Sequence, residues 1–395
     1  MDLVGLLRRA VELGASDVHL KTGRTPVIRC DGELGELEGW PALGAADLDA
    51  VLAAVAIPEK VVAFHGSGDL DVAYQSDGLP RFRVNAFRQR GATSFAFRVI
   101  PALVPSFAQL GLPAGVARLA SESRGLVLVT GATGSGKTTT LAAIVDHINQ
   151  THRHHIVTIE DPIEIVHEDK GCVVSQREVG LDTASFNEAL RRALRQDPDV
   201  ILTGELRDAE TAQIALQAAE SGHLVLSTLH TIDAAETCGR LIEFFPSEKQ
   251  QVIQSILAGV LRGVVSQRLL PRVGGGRVAA VEVMVANARI ADLIREGRPD
   301  EISDAVAEGE FFQMQTFTQA LIAHVLSGLG EREIAANAAT NRHDFLVALE
   351  RAEKQQAAEQ AAAAAAIAPE PEVEAAEAPG QDQIGSTGLR LVPAE

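Results

Sequence analysis

The sequence predicts an α/β fold: a parallel sheet covered on both faces by helices, preceded by a smaller α+β domain and followed by a helical C-terminal part. Three observations predict it. From Gly125 onward, short apolar runs at 126–130, 156–159, 200–203 and 224–227 alternate with helical stretches. Strands that read as unbroken apolar runs belong to parallel sheets buried on both sides. Between the first run and its helix, residues 131–138 fit the pattern of a phosphate-binding loop. Residues 1–100, by contrast, mix one helix with short alternating strands.

The elements follow in order. Leu3, Leu6, Leu7, Ala10 and Val11 recur at helical spacing, and Gly14 stops that helix. Strand-like runs come next at 18–20, at 27–30 before an Asp31-Gly32 turn, and at 70–74. Runs 81–87 and 93–99 alternate like paired strands. Three prolines, Pro101, Pro105 and Pro113, make 101–113 the connection between domains. After Pro246 the pattern is mostly helical, with helices expected over 249–268, 290–296, 316–326 and 343–354. The domain expectation is therefore 1–100, a linker at 101–113, a larger domain at 114–358 and a tail at 359–395. That tail holds seven acidic residues, one basic residue and a six-alanine run. Too few large apolar side chains are present to pack, so disorder is expected, with the alanines prolonging the preceding helix by a turn or two.

Composition excludes several classes. Lys and Arg total 35 against 53 Asp and Glu, giving a charge of −18, and aromatics make up 4%. A sequence-independent nucleic-acid groove needs basic residues and stacking rings, so no nucleic-acid partner is expected. No run of eighteen apolar residues occurs, so no membrane insertion is expected, and the first twenty residues lack the build of a secretory signal. Cys30, Cys172 and Cys238 are isolated. Neither a disulfide framework nor a cysteine zinc site is expected, and a reducing, cytoplasmic location fits.

The loop itself carries chemistry. Gly131, Ala132, Thr133, Gly134, Ser135, Gly136, Lys137 and Thr138 match G-x-x-x-x-G-K-[ST], and Thr139 continues into the helix. The glycines let successive N–H groups converge on phosphate oxygens, and the helix adds the positive end of its dipole. Lys137 is expected to reach the β- and γ-phosphates and the Thr138 hydroxyl to ligate Mg2+, which makes ATP with Mg2+ the expected occupant. Hydrolysis further needs a group that orients water and charge compensation at the transition state. Two acidic clusters stand where ligands of open α/β sheets bind, at the C-terminal ends of predicted strands. One is Glu160, Asp161 and Glu164; the other is Glu205 with Arg207 and Asp208. The run His152, Arg153, His154, His155 has no carboxylate or cysteine at ligand spacing and reads as a solvated helix-to-strand loop.

These residues resemble a known family. Leu194, Arg195, Gln196, Asp197 and Pro198 before the strand, with Gly204 to Asp208 after it, look like the signature of the secretion-superfamily ATPases. Those are the hexameric motors of type II secretion and type IV pili. Thr203 departs from the usual aliphatic residue. Ile159, Glu160, Asp161, Pro162, Ile163 and Glu164 resemble the family's aspartate box, and the stretch from Gly222 and His223 to His230 and Thr231 its histidine box. The pilus-retraction branch is the nearest likeness, through Ala15 to Leu20, Ser175 to Gly180, Leu293 to Gly297 and Met314 to Phe317. The resemblance covers about residues 1–350.

It implies a RecA-like P-loop core with a smaller PAS-like α+β domain at the N-terminus. It also implies a homo-hexamer, ATP hydrolysis coupled to pilus retraction, and contact with a platform protein of the inner membrane at its cytoplasmic face. Residue by residue, it makes Glu205 the carboxylate that polarises water and gives Glu160 and Glu164 the magnesium shell, partly through water. His230 becomes a γ-phosphate sensor with His223 nearby. Arg83 and Arg98 become fingers that reach the γ-phosphate when the small domain closes; arginine's fixed charge and forked donors suit that task. Missing a four-cysteine element and a longer N-terminal region, the chain is expected to serve retraction rather than extension. An accessory retraction ATPase, an extension or type II secretion ATPase, a nucleic-acid translocase and a non-hydrolysing scaffold ring are the alternatives.

Overall fold

The computed structural model describes residues 1–30, 32–100 and 104–367. Residues Met1–Ala348 form one compact unit. Its N-terminal part runs α1 (Leu3–Glu12), β1 (Asp17–Lys21), β2 (Val27–Cys30), β3 (Glu33–Glu36), α2 (Ala45–Val55), α3 (Pro58–Ser67), β4 (Asp69–Tyr74), β5 (Phe82–Gln89) and β6 (Ala92–Val99). The six strands make an antiparallel sheet in the order β3-β2-β1-β6-β5-β4. Successive strand side chains point to opposite faces. Val18, Leu20, Phe82, Val84, Phe95 and Phe97 therefore share a core with Leu6 and Leu7 of α1, Leu48 and Leu52 of α2 and Phe64 of α3. Asp17, Arg98 and Arg83 stand abreast in register on the other face.

The expected strands are present, but α2 and α3 are additions to the single expected helix. Leu48, Val51, Leu52 and Val55 line the buried face of α2 at the spacing of a helix. β3 is an edge strand with all four residues exposed, so it carries no alternation to read.

The larger part begins with α4 (Phe107–Leu110) and α5 (Ala114–Ala120). α4 lies in the expected linker and is closed by Ser106 and Gln109, whose side chains cap each other's backbone. Then follow β7 (Gly125–Thr130), α6 (Lys137–Thr151), β8 (His155–Glu160), β9 (Val173–Glu178), α7 (Phe186–Ala193), β10 (Val200–Thr203), α8 (Ala209–Glu220), β11 (Leu224–Leu229), α9 (Ala234–Glu243) and α10 (Ser247–Val260). β12 (Leu261–Pro271), β13 (Arg277–Val285), α11 (Ala288–Arg295), α12 (Ile302–Ala307), α13 (Phe317–Leu326), α14 (Arg332–Ala338) and α15 (Arg342–Ile367) complete the chain. The seven-stranded sheet has the order β13-β12-β7-β11-β10-β8-β9 and is parallel except for the β12–β13 pair. Every residue of β7 and β11 is buried, as the unbroken apolar runs require. Parallel strands end on one side, so the segments after β7, β10, β11 and β8 come to a common rim.

One expected helix is corrected. The chain expected to be helical over 249–268 leaves the helix at Val260 and continues as β12. Val264 and Val265 pair with Leu128 and Val129 of β7. A Cβ on Gly263 would lie 2.6 Å from the Met284 carbonyl and 2.5 Å from Leu119, so glycine lets the strand close on its neighbours. Burial on both faces decides for strand in a run that periodicity leaves ambiguous. The second unit is Leu349–Glu395. Its described residues continue α15 to Ile367, eight residues past the expected tail boundary at 359. Alanine loses no side-chain entropy on entering a helix, which accounts for the extension. Asp31 of the expected Asp31-Gly32 turn, residues 101–103 of the linker and 368–395 of the tail lie outside the described residues.

Candidate functional site

The loop after β7 is built by backbone geometry. Gly131, Gly134 and Gly136 have φ of 141°, 80° and 92°, values that L side chains rarely adopt. At Gly131 an added Cβ would sit 2.4 Å from the Gln267 carbonyl oxygen, and at Gly136 one would sit 2.7 Å from Gln267 Nε2. Gln267 of β12 thus forms the floor of the loop, and its Oε1 accepts from Thr140 Oγ1 of α6 at 2.8 Å. Beneath it, Thr130 donates to Ser266 at 2.9 Å. The Ser135 hydroxyl is buried without a hydrogen-bond partner, an orphan that a phosphate oxygen would satisfy.

Lys137, the first residue of α6, lays its ammonium over the loop, donating to the carbonyls of Gly131 at 2.6 Å and Ala132 at 3.0 Å. Burial lowers its pKa, and the Glu205 charge works against that shift. Its Nζ lies 3.5 Å from His230 Nδ1, and His230 Nε2 lies 3.2 Å from Glu205 Oε1. Glu205 Oε2 in turn accepts from Arg207 Nε at 3.0 Å. The tips of β7, β11 and β10 thus bring together three of the expected groups, Lys137, His230 and Glu205. An open cleft of 940 Å³, lined by Glu205, Arg207, His230, Asp233 and Arg240 among others, lies beside them.

Local contacts hold these tips. Thr228 Oγ1 donates to the Gly204 carbonyl at 2.7 Å, Ser227 Oγ to that of Thr203 at 2.9 Å, and Gly204 N to that of Ile159 at 2.9 Å. Phe186 packs against Gly204, where a Cβ would meet its ring at 3.3 Å. The Thr203 hydroxyl is buried and has no partner.

The aspartate box lies farther along the rim. β8 is the third strand from β7, about 14 Å at ordinary strand spacing. Burial raises the pKa of Glu160, opposed by hydrogen bonds from Thr158 Oγ1 at 2.6 Å and Gln176 Nε2 at 3.0 Å. Glu164 faces Arg83 Nη1 at 3.6 Å, and Arg83 Nε also lies 3.8 Å from Asp71. Arg98 turns to Asp17 at 3.0 Å. Burial pushes the Asp17 carboxyl up, but the Arg98 and Ser16 hydrogen bonds outweigh it and hold it below its ordinary value. Arg83 therefore meets the aspartate box, while Arg98 is engaged within its own sheet. No cluster of three or more His, Cys, Asp or Glu arranged to hold a metal occurs among the described residues. The donors at the rim, the Thr138 hydroxyl and the carboxylates, are all hard oxygens, which fit magnesium.

Two histidine expectations resolve differently. His223 is not near His230: it precedes β11 at the opposite end, where Nδ1 contacts the Ala218 carbonyl at 3.0 Å. Seven residues at about 3.3 Å each separate them by roughly 20 Å. His152 and His154 stack at 5.1 Å in the α6–β8 connection, with His154 Nδ1 3.6 Å from Asp199, as expected of a helix-to-strand loop.

Sequence reasoning missed Gln267 under the loop and Glu282, and although Arg81 and Arg83 lie two apart on one strand face, the pairing of Arg81 with Glu178 beside the aspartate box was not legible. Glu282 of β13 is 7% exposed and accepts from the first amide of α9, Ala234 N, at 2.9 Å. Burial, with help from Asp233, pushes its carboxyl up to about 7 against the pull of that amide and Arg268. Only a cluster of unusual buried polar residues inside β12 and β13 could have flagged Gln267 and Glu282, and β12 read as a helix.

Comparison with known proteins bears on the fold and the family. A family model described as type II/IV secretion system protein matches residues 3–329. The type IV pilus retractation ATPase PilT of Pseudomonas aeruginosa is 45% identical over 345 residues, 87% of this chain and 100% of that one. The type IV pilus ATPase PilU of the same organism is 40% identical, covering 81% of this chain and 84% of its own. A crystal structure of the pilus retraction motor PilT with bound ADP superposes with a TM-score of 0.82 at 43% identity, covering 87% of this chain and 98% of that one. The α/β core with its phosphate loop, the smaller N-terminal sheet and these matches together place the chain in the type II/IV secretion system protein family.

Proposed function

We propose that this chain is a motor ATPase that binds ATP with Mg2+ and hydrolyses it to drive retraction of type IV pili, and with it twitching motility. The observation that carries the reading is the line from Lys137 through His230 to Glu205 at the mouth of the phosphate loop. A triphosphate entering the loop would draw the Lys137 ammonium off the Gly131 and Ala132 carbonyls and onto its own oxygens. Glu205, released toward the γ-phosphate, orients the attacking water and accepts its hydrogen bond; the task needs position more than a shifted pKa. His230, 3.5 Å from the Lys137 ammonium and 3.2 Å from the Glu205 carboxylate, registers whether the γ-phosphate is present. Magnesium, held by Thr138 and through water by Glu160 and Glu164, would neutralise charge on the phosphate oxygens.

Arg83, resting on Glu164, is the arginine placed to swing to the γ-phosphate on domain closure; Arg98 would first have to leave Asp17. Assembly is a homo-hexameric ring in the cytoplasm, peripheral to the membrane through the platform protein of the pilus machine. No helix among the described residues is long and apolar enough to cross a membrane. A role as an accessory retraction ATPase is the second reading, favoured by Gly171, Cys172, Val173, Val174, Ser175 and Gln176, which are similar to that branch too.

Phosphate release by the purified full chain tests the chemistry. Glu205→Gln should lower turnover by about a hundredfold or more while ATP still binds. Turnover equal to wild type would remove Glu205 from the reaction. A deletion strain imaged for surface fibres tests the role: excess, non-retracting pili are expected, and a strain without pili would point to extension.

A further inference from the structure

We propose that Arg81 and Glu178 form a clamp that fixes the aspartate-box loop to the N-terminal sheet, and that both are positioning residues for hydrolysis. The inference rests on the motor reading above and adds to it the contact through which the small domain sets the box.

The geometry is specific. Arg81 stands immediately before β5, on the same face as Arg83, and Glu178 ends β9, paired in register with Glu160 of β8. Arg81 Nη2 meets Glu178 Oε2 at 2.7 Å, and Arg81 Nε donates to the Ile163 carbonyl at 3.1 Å. The same Glu178 oxygen accepts from Ile163 N at 3.3 Å. One residue of the loop is therefore held at both its amide and its carbonyl by the two halves of a single ion pair. Glu178 is itself anchored, its own N–H donating to Asp182 Oδ2 at 2.8 Å.

Burial separates this pair from its neighbour. The side chains of Arg81 and Glu178 are 17% and 3% exposed, whereas Arg83 and Glu164 are 40% and 38% exposed and stand 3.6 Å apart. A buried pair that loses one partner leaves an uncompensated charge, so it resists opening; an exposed pair parts readily. Arg81 therefore holds Ile163 while Arg83, two residues along the strand, stays free to leave Glu164. Arginine is required, because a lysine ammonium is a point charge without the planar fork that serves a carboxylate and a carbonyl together.

The test is Arg81→Lys in the full chain, with Glu178→Gln and the double variant beside it. Expected are a kcat lowered about tenfold or more, a KM for ATP within about twofold of wild type, and a double variant no worse than the weaker single. Hydrogen exchange of the 160–166 backbone should accelerate in Arg81→Lys while the phosphate loop keeps its protection. If Glu178→Gln fails to fold, Arg81→Lys alone carries the comparison. A kcat per folded molecule unchanged in Arg81→Lys overturns the positioning role, and unchanged exchange at 160–166 overturns the clamp. A wild-type chain that consumes no ATP sinks the motor reading instead, and the exchange measurement still decides the clamp.

Discussion

Glu282→Gln isolates one buried carboxyl by its pH signature. In the folded chain Glu282 sits between β12, β13 and the start of α9, and its carboxyl is pushed from 4.5 up to about 7. The unfolded chain releases this proton near 4.5; the folded chain keeps it to about 7. Between those values the folded state binds more protons, so stability falls as pH rises and levels off above 7. A difference of about 2.5 units at 1.36 kcal/mol each gives a loss on the order of 3 kcal/mol. Glutamine keeps an oxygen to accept the Ala234 N–H and has no proton to lose. Denaturant unfolding of wild type and variant at pH 5 and pH 8 measures the effect, since every other titrating group contributes equally to both proteins. Wild type should lose about 2 kcal/mol more than the variant across that interval, since part of the full loss has already occurred by pH 5. Two parallel pH profiles would refute the argument, because Glu282 would then be ionised in the fold at all these pH values.

Three further outcomes follow from the site. Gly131→Ala drives a Cβ to within 2.4 Å of the Gln267 carbonyl, a backbone atom that cannot swing aside; ATP affinity measured by titration should fall about tenfold or more. Thr203→Val removes a buried hydroxyl without a partner, so the unfolding free energy should hold or rise, by about 1 kcal/mol at most. A clear loss would mean that the hydroxyl is satisfied in solution. Arg83→Ala should lower phosphate release about tenfold or more with nucleotide binding intact, and unchanged turnover would take Arg83 out of the reaction.

What could be read from the sequence depends on how local each feature is. The phosphate loop was legible because its function is carried by eight consecutive residues whose backbone needs glycine at fixed places. Glu205 and His230 stand just past the ends of apolar strands, but their roles were legible only through the family resemblance. β12 was not, since Leu261 to Pro271 is buried on both faces yet mixes apolar residues with Arg262, Ser266, Gln267 and Arg268, and its partners β7 and β13 lie elsewhere in the chain. Arg81 and Glu178 are 97 residues apart and meet only because the small sheet leans on the box. His223 and His230 looked like neighbours in a motif, yet an extended strand sets its two ends far apart. Of the N-terminal helices only α1 was read; α2 was missed although Leu48, Val51, Leu52 and Val55 stand at helical spacing.

The small sheet ends in carboxylates on both sides: Glu33 and Glu36 on exposed β3, Asp69 and Asp71 on β4. Two copies that met rim to rim would bring like charges within about 5 Å, the spacing of neighbouring strands. Lateral fusion of these sheets into a continuous ribbon is thereby discouraged at neutral pH, which leaves sheet faces and helices for contacts between copies.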